Sequence, residues 1–271
     1  MAGIYIHIPF CKTRCIYCDF YSTTHSNLKP EYINALCKEL SQRKNYLQEQ
    51  VETIYFGSDG ILAGARKGAL LIDMTTSTPT LAKKIAAKAA EKGLQAVDAP
   101  VSGGDIGAKN GTLTIMVGGD KTLLSRLQQL FTPIAASVNY FGPAGSGQHA
   151  KMANQIMIAG TMTGLTEMLV YAKAAGLDLD ETLKVVGGGA GANWSLSNYG
   201  PRILQGDYTP GFFAKHFLKD LRIALDEADN MHLQLPATQL AKQLYEQMVN
   251  TGKGNLGTQG LITMNDRWDQ A

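Results

Sequence analysis

Three cysteines near the start of the chain share one short segment whose spacing fits a metal site. Cys11, Cys15 and Cys18 lie in CKTRCIYC, a C-x3-C-x2-C pattern that follows a predicted strand. Three thiolates on one loop can bind three irons of a [4Fe–4S] cluster and leave the fourth iron open. The alternatives are a zinc site that lacks one ligand and three unrelated cysteines. The fourth cysteine, Cys37, lies inside a predicted helix, and we interpret it as a packed thiol.

A serine followed by two glycines forms a second candidate site, in the segment DAPVSGG at residues 98–104. The segment comes directly after a predicted strand, and open α/β sheets bind ligands at the carboxyl ends of their strands. Gly103 and Gly104 allow backbone N–H groups to approach an anion, and the hydroxyl of Ser102 adds a donor. A generic glycine turn is the alternative reading of this segment taken alone.

A lysine and an asparagine form a third candidate site, at the start of a long helical pattern. Lys151 and Asn154 lie three positions apart, so they share one face of a helix. Burial lowers the pKa of a lysine from its free value of about 10.4 towards neutrality. Such a lysine can act as the general acid–base of an alcohol–carbonyl interconversion, with Asn154 orienting the substrate. The alternative is a solvated surface lysine.

The segment that precedes this helix, GSGQHA at residues 145–150, fits the loose dinucleotide pattern G-x-G-x-x-A. A dinucleotide fingerprint leads through its helix into a second parallel strand and an acidic residue about 20 positions on. Here a helical pattern of nearly thirty residues follows instead. We therefore reject the cofactor-loop interpretation and predict that the glycines open a long helix with Lys151 in its first turns.

The elements that must position these residues fall into three blocks. The first contains all four cysteines and reads as strand GIYIHIPF, a helix opened by Pro30, and strand VETIYF. The second alternates helices with the strands GALLIDMT, LQAVDAP, GTLTIMVGG and SVNYF, of which GALLIDMT has the continuous apolar character of a buried parallel strand. The third block is almost wholly helical, with helices predicted at about 147–175, 178–186, 193–205, 214–232 and 236–250.

The composition is that of a globular protein in the cytoplasm. The 271 residues are 45% hydrophobic and 18% charged, with a formal net charge of +2. This charge gives no electrostatic case for nucleic acid or an anionic membrane as a partner. The start of the chain shows no basic region or cleavage site of a signal peptide, and no apolar run reaches the roughly 20 residues of a membrane-spanning helix.

The first block resembles a known enzyme group. GIYIHIPFCKTRCIYCDFYS is similar to the start of the radical SAM enzymes related to oxygen-independent coproporphyrinogen III oxidase, including heme chaperones. The resemblance implies that the three cysteines of the loop are [4Fe–4S] ligands and that Tyr5 and Tyr17 contact S-adenosylmethionine. It covers residues 1 to about 57, and the βα units that would complete the barrel of these enzymes do not follow.

The remainder of the chain resembles the β-hydroxyacid dehydrogenases, such as 3-hydroxyisobutyrate dehydrogenase and tartronate semialdehyde (2-hydroxy-3-oxopropionate) reductase. Four segments carry this resemblance in order: GALLIDMTTSTP, DAPVSGGDIGAKNGTLTIMVGG, GSGQHAKMANQ and FLKDLRIALD. The resemblance implies that Lys151 is the catalytic residue and that Thr76 and Lys219 contact NAD or NADP. It further implies that the substrate, a small 3-hydroxy acid or its semialdehyde, is held by Ser102, Gly103, Gly104 and Asn154.

The two resemblances meet near Gly57, and we interpret the chain as a chimera. The strand and G-x-G-x-x-G loop that open the dehydrogenase family are replaced by the cysteine segment. We therefore predict an α/β fold with an N-terminal β-loop-α-β graft at 1–57 and an incomplete Rossmann-like parallel sheet at 58–144. An all-α C-terminal domain with a long interdomain helix follows at 145–271.

Three functional classes follow from this organisation. The first is a dehydrogenase whose binding of NAD or NADP is weak or lost, because the phosphate-binding loop is missing. The second is a radical SAM protein with a [4Fe–4S] cluster and S-adenosylmethionine. The third is a non-catalytic fragment that forms a homo-oligomer through its helical domain.

The cysteine loop makes one testable prediction. Anaerobic reconstitution of the full chain with iron and sulfide should give the visible absorption of a [4Fe–4S] cluster, because three thiolates at this spacing suffice for three irons. The variant Cys15→Ala should lose that absorption, whereas Cys37→Ala should keep it. Equal absorption of the two variants would contradict the assignment of the ligands.

Overall fold

The structure, a computed structural model, describes residues 51–266 and residue 268. The predictions made for Tyr5, Cys11, Cys15, Tyr17 and Cys18 therefore lie outside the described residues, as does the rest of the chain up to residue 50. Among the described residues, no helix has both the length and the apolar character needed to cross a membrane.

Strands and helices alternate up to residue 142, and helices follow from residue 146. In chain order the elements are α1 (Val51–Phe56), α2 (Ile61–Gly64), β1 (Leu70–Asp73), α3 (Pro79–Glu91), β2 (Gln95–Asp98), β3 (Val101–Ser102), α4 (Gly104–Asn110), β4 (Leu113–Gly118), α5 (Leu124–Phe131), β5 (Ala135–Gly142), α6 (Ser146–Ala174), α7 (Leu179–Gly187), α8 (Trp194–Leu204), α9 (Ala214–Asn230) and α10 (Pro236–Asn250), with 3₁₀ helices at Lys121–Leu123, Lys253–Asn255 and Thr258–Met264. The five predicted helices of the last block are confirmed as α6 to α10. The short elements β3 and α4 were not predicted.

The five strands form one sheet in which two pairs are parallel. β1 pairs with β2, and β4 pairs with β5, both in the parallel sense expected of a Rossmann-like sheet. The segment 95–102 runs through β2 and β3, antiparallel to β4. It bends at Pro100, whose carbonyl oxygen accepts a hydrogen bond of 3.0 Å from the Met116 N–H. The carboxyl ends of β1 and β2 therefore lie side by side at one edge of the sheet.

The strand β1 is less buried than its apolar sequence predicted. Leu70, Leu71 and Ile72 are only half-buried, and Asp73 is the buried residue of the strand. In the part of the chain that the structure describes, β1 pairs on one side alone, with β2. A strand at the edge of a sheet leaves one row of backbone groups without ladder partners, which accounts for the exposure.

The segment VETIYF is the helix α1, so the prediction of a strand there was wrong. Val51 and Tyr55 are buried in a cluster with Ile85 and Ala89 of α3. The Lys84 ammonium lies 2.5 Å from Glu52 Oε1. β-branched and aromatic residues favour strands only where a neighbouring strand pairs with them. Here the four-residue spacing of the two buried side chains suits the surface of α3 instead.

The long helix α6 begins at the sheet, where the side chain of Asp98 anchors its N-terminus. The Asp98 carboxylate accepts hydrogen bonds from the N–H groups of Gly145, at 2.7 Å, and Gln148, at 2.8 Å. Gly147 allows the helix to approach the sheet, because an added Cβ would lie 2.3 Å from the Met116 carbonyl oxygen. The first N–H groups of a helix have no partner within the helix, and a carboxylate there also stabilises the helix dipole.

From the sheet, α6 runs through the helical region and is buried on two sides. Ala159 packs in a core cluster with Phe217 of α9 and Tyr245 of α10. Met162 and Leu169 pack in a second cluster, with Leu183, Leu196, Tyr199 and Ile203 of α7 and α8. The helix thus joins the sheet to two helix pairs, α7 with α8 and α9 with α10. The first turns of α6 lie between the sheet and these helices.

The anchoring of α6 makes a prediction about stability. The variant Asp98→Ala should lower the free energy of unfolding by about 2–4 kcal/mol, because it leaves two N–H groups of a buried helix start without a partner. Urea denaturation of the variant and the wild type measures the loss. The matched control is Asp120→Ala, because Asp120 caps an exposed 3₁₀ helix through the Thr122 N–H. Equal losses in the two variants would contradict the role given to Asp98.

Candidate active site

Lys151 is buried in the second turn of α6. The residue as a whole is only 8% exposed. Burial, which disfavours the ammonium form, lowers the pKa of Lys151 to about 8; the carboxylate of Asp220 opposes this shift, and the ammonium of Lys219 adds to it. A lysine with this pKa exchanges protons near neutral pH. The alternative of a solvated lysine is therefore wrong.

Asp220 of α9 is the acidic partner in this environment. The residue is 1% exposed, and its Oδ1 lies 2.7 Å from the ammonium nitrogen of Lys219. The same ammonium donates a hydrogen bond of 2.5 Å to the Thr76 carbonyl oxygen. The structure thus brings Thr76 and Lys219, two residues singled out from the sequence, into direct contact beside the carboxyl end of β1.

A second contact links Asn154 to the same aspartate. The Asn154 amide donates to Gln155 Oε1 at 2.9 Å, and the Gln155 amide donates to Asp220 Oδ2 at 2.7 Å. Gln155 is fully buried, so this chain of hydrogen bonds fixes the orientation of all three side chains. Asn154 consequently belongs to a hydrogen-bonded network that is centred on Asp220, the carboxylate whose charge also acts on the pKa of Lys151.

Ser102, Gly103 and Gly104 form the turn between β3 and α4. Gly103 has φ of +125° and Gly104 of +61°, a backbone conformation that favours glycine. This turn faces the loop before α9, because a Cβ added to Gly211 would lie 2.8 Å from Asp105 Oδ1. The charges that act on Lys151 are those of Asp220 and Lys219 on α9, whereas the Ser102 turn lies against the loop before α9.

The loop after β1 is tied to the start of α6 by Gln148. The fully buried amide of Gln148 donates to the Thr75 carbonyl oxygen at 2.8 Å and accepts from the Ser77 N–H at 3.2 Å. Burial raises the pKa of the nearby Asp73 carboxyl, while hydrogen bonds from Thr75 and the ammonium of Lys219 oppose the shift. Residues 73–77 are thereby held against the lysine-bearing helices.

The residues of this loop fit the nicotinamide end of a dinucleotide. The Ser77 Oγ is buried without a hydrogen-bond partner, and the Lys219 side chain keeps 27% of its surface exposed. A polar carboxamide would meet donors and acceptors there. The pyrophosphate end is different, because Gly57 and Gly60, which precede the first described strand, connect the two short helices α1 and α2 and not a strand to a helix.

Four residues that shape the candidate site were not singled out from the sequence: Asp98, Gln148, Gln155 and Asp220. Asp98 opens the segment that contains Ser102, and Asp220 directly follows Lys219, so both lie within or next to predicted site segments. The signal that could have singled out Asp220 is its place among the apolar residues of an amphipathic helix, where a buried acid requires partners.

Two family models match the chain. Residues 46–142 match the NAD-binding domain of 6-phosphogluconate dehydrogenase, and residues 145–264 match the NAD-binding model of NADP-dependent 3-hydroxyisobutyrate dehydrogenase. Both describe proteins that use a nicotinamide cofactor. The first match begins before Gly57, where we placed the join, so the chimera interpretation and the iron–sulfur and S-adenosylmethionine predictions gain no support from it.

Relatives of known sequence and structure agree with these models. The chain is 54% identical over 214 residues to the uncharacterized oxidoreductase YkwC of Bacillus subtilis, a match that covers 79% of this chain and 74% of the relative. It is 35% identical to 2-hydroxy-3-oxopropionate reductase of Escherichia coli, covering 79% and 73%. The solved 3-hydroxyisobutyrate dehydrogenase of Mycobacterium tuberculosis with L-serine superposes with a TM-score of 0.70 at 31% identity, covering 75% and 72%. The chain thus spans about three quarters of each of these relatives.

The buried lysine makes a prediction about the pH dependence of stability. The folded protein holds the pKa of Lys151 at about 8, whereas an unfolded lysine titrates at about 10.4. Between these values the unfolded chain binds more protons, so the stability contributed by Lys151 rises with pH and is lost as pH falls through 8. From pH 7 to pH 10 the wild type should gain about 2–3 kcal/mol over Lys151→Met.

Urea denaturation at the two pH values measures this difference, and other titrating groups cancel between the two proteins. The control is Lys184→Met, because the Lys184 side chain is 76% exposed and its loss should leave the pH dependence unchanged. A difference between wild type and Lys151→Met that does not vary with pH would contradict the lowered pKa.

Proposed function

This chain belongs to the β-hydroxyacid dehydrogenase family, that of 3-hydroxyisobutyrate dehydrogenase and 2-hydroxy-3-oxopropionate reductase, and we propose that Lys151 is its general acid–base. The reaction is hydride transfer between NAD or NADP and a small 3-hydroxy acid or its semialdehyde. The observation that carries the proposal is the burial of Lys151, with its pKa at about 8, beside the Lys219–Asp220 pair. Such a pKa suits a group that must both accept and donate a proton.

In the oxidation of the alcohol, the neutral amine of Lys151 accepts the proton of the substrate hydroxyl. In the reverse direction the ammonium returns that proton to the oxygen of the carbonyl group. Bound NAD or NADP would accept or supply the hydride at the substrate carbon. Asp220 moderates the pKa of Lys151 and, through Gln155, holds the Asn154 side chain in place.

The substrate is held, in this proposal, by Asn154 and by the turn of Ser102, Gly103 and Gly104. The hydroxyl and the backbone N–H groups of that turn are donors suited to a carboxylate, which every 3-hydroxy acid carries. Thr76 and Lys219 hold the nicotinamide end of the cofactor, supported by their direct contact at the carboxyl end of β1. Ligands of open α/β sheets bind at this end of the strands.

The proposal includes weak binding of the cofactor. A dinucleotide owes its attachment to a glycine loop whose N–H groups surround the pyrophosphate, and the sequence from Gly57 onward has no such loop. The same proposal has three further parts. They are the division of the chain at 57/58 and 144/145, a homo-oligomer formed through the helical domain, and a location in the cytoplasm. The cysteine loop of residues 11–18 remains a separate prediction that rests on its spacing.

Titration with NADH and NADPH tests the cofactor part. We expect no saturation below about 1 mM, because the contacts of the nicotinamide end remain while those of the pyrophosphate are missing. Fluorescence of the reduced nicotinamide measures the binding. Saturation at micromolar concentration would show that another part of the chain replaces the phosphate loop.

Turnover tests the role of the lysine. With cofactor at the highest concentration, a panel of 3-hydroxy acids is followed by the absorbance of the reduced nicotinamide. Lys151→Met should lower the rate about 10²–10⁴-fold and leave the binding of NADH unchanged, since the lysine acts on the substrate oxygen. Lys184→Met is the matched control. A Lys151→Met protein as fast as this control would exclude the proposed general acid–base.

A further inference from the structure

One face of α9 carries a row of residues directed towards the end of β1 and the start of α6. Their three- and four-residue spacing places the members on one side of the helix: His216, Lys219, Asp220, Ile223 and Glu227. The Lys219 ammonium donates to the Thr76 carbonyl oxygen. Glu227 Oε1 accepts from the Thr80 hydroxyl at 3.1 Å. The row therefore follows the loop after β1 and the first turn of α3.

His216 is the member of the row nearest to the loop before α9. It lies three residues before Lys219, which is about 4.5 Å along the helix axis, in the direction of Gly211. A Cβ added to Gly211 would lie 2.8 Å from Asp105 Oδ1, and Asp105 comes directly after the turn of Ser102. Along α9, His216 thus lies between the residue proposed for the nicotinamide end and the turn proposed for the substrate carboxylate.

The imidazole of His216 is half-buried and keeps its hydrogen-bonding groups for a ligand. Its ring centroid lies 5.2 Å from that of Phe213, and within the described part of the chain neither ring nitrogen has a hydrogen-bond partner. Burial lowers the pKa of His216, as do the ammonium groups of Lys215 and Lys219, against the Asp220 carboxylate. The ring is therefore neutral above about pH 7, with one donor nitrogen and one acceptor nitrogen.

We propose that His216 recognises a polar substituent on C2 of the substrate, so that the preferred substrate is a 2,3-dihydroxy acid such as glycerate, or its semialdehyde. The inference rests on the proposed function, which assigns the carboxylate to the Ser102 turn and the C3 oxygen to Lys151. The carbon between those two groups is C2, and its substituent is the part of the molecule left for a third contact. His216 lies between the elements that provide the first two contacts.

A neutral imidazole at this position favours a hydroxyl over a methyl group on C2. A hydroxyl both donates and accepts, so it can use either ring nitrogen. A methyl group would displace water from a half-buried imidazole and give it no hydrogen bond in return, which costs free energy. A site built to bind a hydroxyl of its substrate discriminates against the analogue that lacks it for this reason.

Kinetics with two acids that differ only in the C2 substituent test the proposal. Racemic glycerate carries a hydroxyl there, and racemic 3-hydroxyisobutyrate carries a methyl group. With cofactor at the highest concentration, the wild type should have the higher kcat/KM for glycerate. His216→Leu should lower that value about tenfold, chiefly through KM, because one hydrogen bond to the substrate is lost. The value for 3-hydroxyisobutyrate should not fall.

His216→Gln and His232→Asn are the matched variants. The glutamine amide keeps a donor and an acceptor and should restore most of the preference, which would not follow if His216 were only packed against Phe213. His232 is exposed just beyond the end of α9, at φ +57°, a conformation that asparagine tolerates, so this variant should match the wild type. Wild-type preference for 3-hydroxyisobutyrate, or equal losses for both acids in His216→Leu, would overturn the proposal.

Nuclear magnetic resonance of the imidazole gives a readout that does not require turnover. The chain has five histidines, and the Cε1–H resonance of His216 is the one that is absent from His216→Leu. Glycerate should shift this resonance saturably, and 3-hydroxyisobutyrate at the same concentration should shift it less. A resonance that glycerate leaves in place would overturn the proposal. If no acid is turned over, the proposed reaction fails, whereas this resonance still decides the role of His216.

Discussion

The carboxylate of Asp98 holds the start of α6 against the sheet, and the position of the candidate active site depends on this contact. A helix of 29 residues that begins inside a protein needs partners for its first N–H groups. Asp98, at the end of β2, supplies two acceptor atoms, and Gln148 bonds in turn to the loop that follows β1. Lys151 lies one turn beyond Gln148. Its place relative to the carboxyl ends of β1 and β2 is therefore set by two buried polar side chains.

The chemistry of Lys151 is decided by two effects of opposite sign. Loss of hydration disfavours its ammonium form, and the Asp220 carboxylate favours it. Desolvation is the larger effect, and the Asp220 carboxylate is itself bound by Lys219 and Gln155. The second ammonium, that of Lys219, acts in the same direction as desolvation. The network thus supports a lysine that can exist in both protonation states, which is the property that reversible proton transfer requires.

The described residues differ in what they provide for the nicotinamide end and for the pyrophosphate end of the proposed cofactor. The loop of residues 73–77, Lys219 and the lysine-bearing start of α6 form one connected polar structure, which is held by contacts within residues 51–266. The strand β1 is the last strand of the described sheet on its side. In a doubly wound fold the phosphate-binding loop belongs to a strand further along that direction. The residues that we propose for proton transfer and for the nicotinamide end do not depend on that strand for the hydrogen bonds described here.

The sequence by itself determined the alternation of strands and helices, the five C-terminal helices and the candidate residues Thr76, Ser102, Lys151, Asn154 and Lys219. The elements came from periodicity and glycine punctuation, which are local properties of the chain, whereas Thr76 and Lys219 came only from the family resemblance that four ordered motifs carry. The helical state of VETIYF was decided by the tertiary structure, because six residues of mixed propensity adopt the conformation that their neighbours, here α3, can pack against. The partners of the lysine were decided in the same way. Asp220 and Gln155 lie 65 positions apart, and a buried hydrogen bond between such residues exists only after the helices that carry them have packed.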